Sequence, residues 1–159
     1  MLKIIGSAVV ILSATLFGIK KYNTLFERKK ALSEILDGAR SINSKLSALH
    51  APLHEIFMDS GTFFESASKR ILAGQLPEEA VKSTAFQVTS LKKDDIRIIE
   101  SFASGLCASS CEGQLSNLAV FTGEIEKKLM EASTDLDIKG KLCVKGSILT
   151  AAAIVLLLI

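Results

Sequence analysis

A chain of 159 residues has room for one domain, and its 48% hydrophobic content and mean hydropathy of +0.37 are high for a protein dissolved in water. The net charge of +2 conceals a segregation: residues 31–138 carry ten Lys and Arg against sixteen Asp and Glu, whereas residues 20–30 carry five basic residues against Glu27 alone. An acidic body repels phosphates, and the basic residues cluster beside apolar runs, so nucleic acid is excluded as a partner.

Residues 4–19 are uncharged, and the stem of Lys3 is long enough to snorkel, so this run is expected to span a bilayer core of about 30 Å. The competing reading is a secretory signal peptide. The lysines directly after the run resist translocation and there is no convincing small-x-small cleavage site, which favours a retained anchor. The positive-inside rule then places the chain beyond Ile19 in the cytoplasm. Residues 25–49 show a heptad seam of Leu25, Leu32, Ile35, Ala39, Ile42, Leu46 and Leu49, with Arg28 breaking one position. This long helix is expected to end at His50-Ala51-Pro52, because the residue before proline avoids the helical region. Pro52 suits the start of a second helix running to Gly74, with Leu53, Ile56, Phe57, Phe63, Phe64, Ala67 and Ile71 on its apolar face and Gly61 as a weak point.

Pro77 with Glu78 and Glu79 predicts a short helix to about Val88 that buries Ala80, Val81, Thr84 and Val88. Asp94 and Asp95 repeat the acidic first turn, and Ile96, Ile99, Phe102, Ala103 and Leu106 supply the buried face. Ser109 or Ser110 is expected to cap the last helix, Ser109 forming a capping box with Glu112. A second seam runs through Cys111, Leu115, Leu118, Thr122, Ile125, Leu129, Ala132 and Leu136. Residues 146–159 are then uncharged and apolar all round, the pattern of a helix entering lipid, with Lys139, Lys141 and Lys145 on the approach. Gly140 and Gly146 are the weak points of this rod, each costing about 1 kcal/mol relative to alanine.

The expected fold is all-α: five helices forming an antiparallel helical bundle in the cytosol over residues 21–141, flanked by transmembrane helices at 1–20 and 142–159. Both termini then lie outside the cytosol. The seams at 25–49 and 111–136 are expected to pack antiparallel within one chain. Chemistry is sparse. Pro52 separates His50 from His54, and Cys107 and Cys111 lack a C-x-x-C partner, so no metal is expected. Cys107 and Cys111 read as small buried hydrophobes and Cys143 as a seam residue. Asp94 and Asp95 diverge by about 100° and face no common substrate. No Gly-rich phosphate loop or nucleophile–base pair occurs. The chain reads as a scaffold, not an enzyme, with no cofactor and no small-molecule substrate.

Several stretches together resemble a known family. Met1-Leu2-Lys3-Ile4-Ile5-Gly6, Glu27-Arg28, Pro52-Leu53-His54-Glu55 and Ser90-Leu91-Lys92-Lys93-Asp94, with Phe102, Leu106, Gln114 and the apolar tail, are similar to the stage III sporulation protein AB family. Two departures stand out: Ala103 and Cys107 replace glycines of that family, and Ser110 replaces an aspartate. The resemblance implies a component of a secretion-like channel complex between mother cell and forespore, with a helical domain similar to that of type II secretion and type IV pilus platform proteins. The partners it implies are a cytosolic secretion-type ATPase, other membrane proteins of the complex and the lipid bilayer. The turns at 50–55 and 106–112 lie farthest along the chain from both apolar runs, so the polar residues His54, Glu55 and Glu112 are the expected partner surface. The alternative is a membrane-anchored coiled-coil homodimer, with a signalling or division role, that pairs through the two seams.

Overall fold

A computed structural model describes residues 2–48, 52–106 and 111–158, excluding the side chains of 2–11, 47–48, 111–112, 144, 151–152 and 155–158. Among the described residues there are helices and turns and no strand, so the chain is all-α. The elements are α1 (Leu2–Ala48), α2 (Leu53–Met58), α3 (Thr62–Leu72), α4 (Pro77–Gln87), α5 (Lys93–Leu106), α6 (Cys111–Asp135), a π turn (Leu136–Gly140) and α7 (Lys141–Leu158). They make two compact units. One comprises Met1–Lys29 with Glu131–Ile159, and the other Lys30–Met130.

The Lys30–Met130 unit is built on the first seam. Leu32, Ile35, Ala39 and Ile42 are buried as their spacing predicts, while Leu46 is half-buried, as is Leu25 in the other unit. The second seam agrees at Leu118 and Ile125, and half-buried Leu115, Thr122 and Leu129 lie between. The two seams pack antiparallel: Arg40 Nη2 on α1 donates to Glu126 Oε1 on α6 at 3.1 Å, and farther along α1, Ile42 and Leu46 share a cluster with Gln114 and Leu118. Phe121 lies outside the predicted seam yet is buried, because its ring stacks on Phe102 at 4.3 Å.

The single helix expected over 52–74 is two. Gly61 adopts φ +93°, a left-handed conformation that glycine takes without steric cost, and the chain turns there between α2 and α3. The turn brings Phe64 of α3 against Phe57 of α2 at 5.2 Å, where seven residues of straight helix would separate them by about 10 Å, and Phe63 packs on Phe64 from beside it in α3 at 5.1 Å. Glu34 of α1 serves the new helix start: its Oε1 accepts from the Thr62 N–H at 3.2 Å and from the Thr62 hydroxyl. A carboxylate there favours the positive end of the helix dipole. At the other end of α3, Gly74 (φ +94°) ends the helix as its sequence predicts. The Gly74 N–H reaches Ile71 O and the Gln75 N–H reaches Arg70 O, a Schellman closure.

Pro77 opens α4, and Ala80, Val81 and Thr84 are buried as expected, with Ala85 joining them in place of half-buried Val88. The acidic first turn of α5 divides. Asp94 is exposed, but Asp95 is fully buried and accepts from the Lys92 N–H at 2.9 Å, reaching back to cap its own helix. The capping residues expected for α6, Ser109 and Ser110, lie outside the described residues.

In the unit formed by Met1–Lys29 and Glu131–Ile159, α1 again runs antiparallel to the C-terminal helices. A Cβ on Gly140 would sit 3.0 Å from the Tyr22 ring, and one on Gly18 would sit 2.8 Å from Ser147 Oγ. Arg28, which interrupts the first seam in sequence, is 2% exposed and faces two carboxylates, Glu131 at 3.6 Å and Asp135 at 3.7 Å. Gly140 does not break the rod, because the π turn carries the helix from Asp135 into Lys141.

The expected membrane spans do not emerge from the described residues: no helix among them is long and apolar enough to cross a membrane. Much of both apolar runs falls on positions whose side chains lie outside the described set.

Candidate functional site

The residues proposed from sequence to face a partner lie in the Lys30–Met130 unit, at the start of α2, the end of α5 and the start of α6. Pro52 accepts from the Glu55 N–H at 3.0 Å and so closes the first turn of α2. Leu53 then meets Phe102, Leu106, Gln114 and Leu118 around one small apolar cluster with Ile42 and Leu46. Gln114 Nε2 donates to Leu106 O at 3.1 Å, and Asn117 Nδ2 donates to Phe102 O at 2.9 Å, so α6 amides satisfy carbonyls near the end of α5. The start of α2 and the end of α5 are thus brought together at Leu53 and Leu106.

The polar members divide. His54 is half-buried, and its carbonyl accepts from Ser68 Oγ at 2.8 Å, while Glu55 is exposed on α2. The side chain of Glu112 lies outside the described residues. Phe102 and Leu106 are 3% and 7% exposed and pack the core, and of the described candidates Glu55 and the accessible part of His54 face outward.

A second feature is invisible to motif reading. An open groove of about 460 Å³ runs between α1 and the α2–α3 turn, lined by Lys30, Ser33, Glu34, Asp37, Gly38, Ser41, Asp59, Ser60 and Gly61. Several of its polar groups are committed to structure: Glu34 accepts from Thr62, Ser60 Oγ donates to Ile56 O at 2.6 Å, and Asp59 O accepts from Lys45 Nζ at 3.0 Å. Gly38 forms its floor, where a Cβ would lie 2.3 Å from Ser60 O and 2.6 Å from Phe64 Cδ2. The spacing of Glu34, Asp37 and Gly38 on one helix is legible in sequence. The turn that faces them is not.

Elsewhere on this unit, Lys82 Nζ donates to Glu78 Oε1 at 2.6 Å and Ser104 Oγ donates to the same oxygen at 3.0 Å. The Lys82 hydrogen bond first, and then the Ser104 one, hold the Glu78 carboxyl below its ordinary value. The same hydrogen bond to Glu78 raises Lys82. The arrangement ties α4 to α5. Among the described residues no group of three His, Cys, Asp or Glu side chains is placed to hold a metal ion. Of the residues weighed for a metal from sequence, His50 and Cys107 lie outside the described residues, as does the side chain of Cys111, and His54 is half-buried; Cys143, read as a seam residue, is a free half-buried thiol.

No curated protein and no solved structure matches the chain. A family does: the model of stage III sporulation protein AB matches residues 3–159, which is the chain almost from end to end. The chain therefore belongs to the stage III sporulation protein AB family, and is a protein of the third stage of sporulation.

Proposed function

We propose that this chain is a non-enzymatic membrane platform component of a sporulation-specific, secretion-like channel complex between mother cell and forespore. Its Lys30–Met130 unit docks a cytosolic secretion-type ATPase, and the other unit anchors it in the membrane beside further proteins of the complex. The observation that carries the reading is the inside-out character of the Met1–Lys29 and Glu131–Ile159 unit. Its exposed positions include Leu12, Leu16, Phe17, Ile19, Leu142, Ile148, Leu149 and Ile154, whereas Gly18 and Ser147 meet between the helices. Apolar surface outside and small residues at a close helix contact suit lipid as the surrounding solvent. Lys20, Lys21, Lys141 and Lys145 are exposed beside this surface, where lysines mark the cytoplasmic side.

Pairing of two copies through the seams has less support. Ile35, Ala39, Ile42, Leu118 and Ile125 are all buried within one chain, so those positions are already occupied. The test is mild crosslinking and co-purification from membranes of sporulating cells. Capture of a secretion-type ATPase together with integral membrane proteins is expected. Recovery of the chain in the soluble fraction, or in complexes without an ATPase, overturns the reading.

A further inference from the structure

The π turn and the buried arginine are both anomalies, and they are neighbours. A π turn holds one residue more than the α-helix it interrupts, and such turns are uncommon. Here it occupies Leu136–Gly140. Ala132, Asp135, Leu136 and Gly140 are buried and Cys143 and Ser147 are half-buried, so an inward face runs through the turn. Because the turn holds one residue more, every position after it is set back by one residue relative to an uninterrupted helix, and in that setting Ser147 meets Gly18. Just before the turn, Asp135 is held from two sides. Arg28 Nη1 lies 3.7 Å away on α1, and Lys139 Nζ lies 2.6 Å away from within the π turn itself. Arg28 also faces Glu131, one helical turn earlier, at 3.6 Å.

A buried arginine in a seam stabilises a fold weakly compared with an apolar residue of its size; the best-attested benefit of such a residue is choice of register. Past the turn the helices are held closely, Gly140 against Tyr22 and Gly18 against Ser147. We propose that Arg28 and the π turn form a register latch. With Asp135 and Glu131 held by Arg28, the extra residue stays at Leu136–Gly140 and Ser147 faces Gly18. With the latch released, the extra residue leaves the turn and α7 rotates by one residue, about 100°. Gly146 then occupies the place of Ser147. Gly146 is suited to that exchange, since it carries no side chain to crowd the close approach to Gly18. This device concerns the packing of one unit on itself and stands apart from the membrane reading.

Disulfide trapping in the full chain, with Cys107, Cys111 and Cys143 changed to serine, reads the register directly. A Cβ at Gly18 lies 3.2 Å from the Ser147 Cβ, within a few tenths of an ångström of disulfide geometry. Gly18→Cys is paired in turn with Ser147→Cys and with Gly146→Cys, and the two yields are compared. The 147 partner is expected to dominate several-fold with Arg28 present, and the 146 partner with Arg28→Leu. Deleting Ile138, an exposed residue of the π turn, removes the extra residue and is expected to restore the 147 partner in the Arg28→Leu background. Asp135→Asn supplies an independent release of the latch should Arg28→Leu fail to fold. A folded Arg28→Leu or Asp135→Asn chain that keeps the 147 partner overturns the proposal, as does failure of the Ile138 deletion to restore it.

Discussion

Gly38 is the residue with the least freedom to change. Its hydrogen faces a backbone carbonyl and a buried aromatic ring, and neither withdraws as a flexible side chain would. Gly38→Ala is expected to destabilise the Lys30–Met130 unit by about 1–3 kcal/mol, the range for overpacking a core, read as a lower denaturant midpoint with unchanged slope. Gly123 is the contrast, because a Cβ there meets nothing within 4 Å, and Gly123→Ala is expected to raise the midpoint. The Glu78–Lys82 pair makes a pH-dependent contribution. Because the carboxyl of Glu78 is held below its ordinary value of 4.5, its share is present above that value and is lost as pH falls through the folded one. Lys82 is raised, so its share is complete below 10.5 and is lost as pH rises through the folded value. Both groups reach solvent, so the effect is small. The melting temperature of wild type should exceed that of Glu78→Gln around neutrality, and the gap should close below pH 4.5 and narrow again in strong alkali.

At the scale of elements, the periodicity of a helix says which face is inward but not where the helix is interrupted. Phe57, Phe63 and Phe64 were legible as core residues of 52–74, and all three are buried. The turn at Gly61 was not, because one glycine is tolerated inside many helices, and what decides here is the packing of Phe64 under Gly38. The long seams predict most reliably. Ile125 is fully buried in α6, so Ile125→Asp places an unpaired charge in the core and should abolish cooperative melting. Leu129, on the same seam, is only half-buried, and Leu129→Asp should lower the melting temperature while leaving the transition cooperative. Equal effects at the two positions would show that burial does not set the cost.

For the whole molecule, the proposed anchoring makes a topological prediction. A cysteine replacing the exposed Phe86 of α4 should resist an impermeant thiol reagent in intact cells and react once the membrane is opened. Rapid labelling in intact cells would remove the cytosolic ATPase from consideration. The end of the Lys30–Met130 unit that carries His54 and Glu55 is the part of the proposal most open to test. Changing His54, Glu55 and Glu112 together to alanine should leave the fold in place, since substitutions at the surface usually shift stability by about ±0.5 kcal/mol. Partner capture and sporulation are expected to fall. Full retention of both would assign this end to packing alone, the role that buried Phe102 and Leu106 already have.

The amino-acid sequence by itself determined the helical class, the two antiparallel seams, the helix start at Pro77 and the stop at Gly74, and the family. These rest on local chemistry or on spacing along one element, which are complete in the chain before it folds. Only the tertiary structure decided the fates of Arg28 and Asp95. Each is a charged residue whose type assigns it to solvent, and each is buried with a partner: Glu131 and Asp135 from a distant helix for Arg28, and the Lys92 N–H at the mouth of its own helix for Asp95. The same holds for Glu34, which caps a helix that begins twenty-eight positions later in the chain. Where the partner comes from far along the chain, as for Arg28 and Glu34, what sits opposite a charge is a property of the fold and not of the neighbouring sequence.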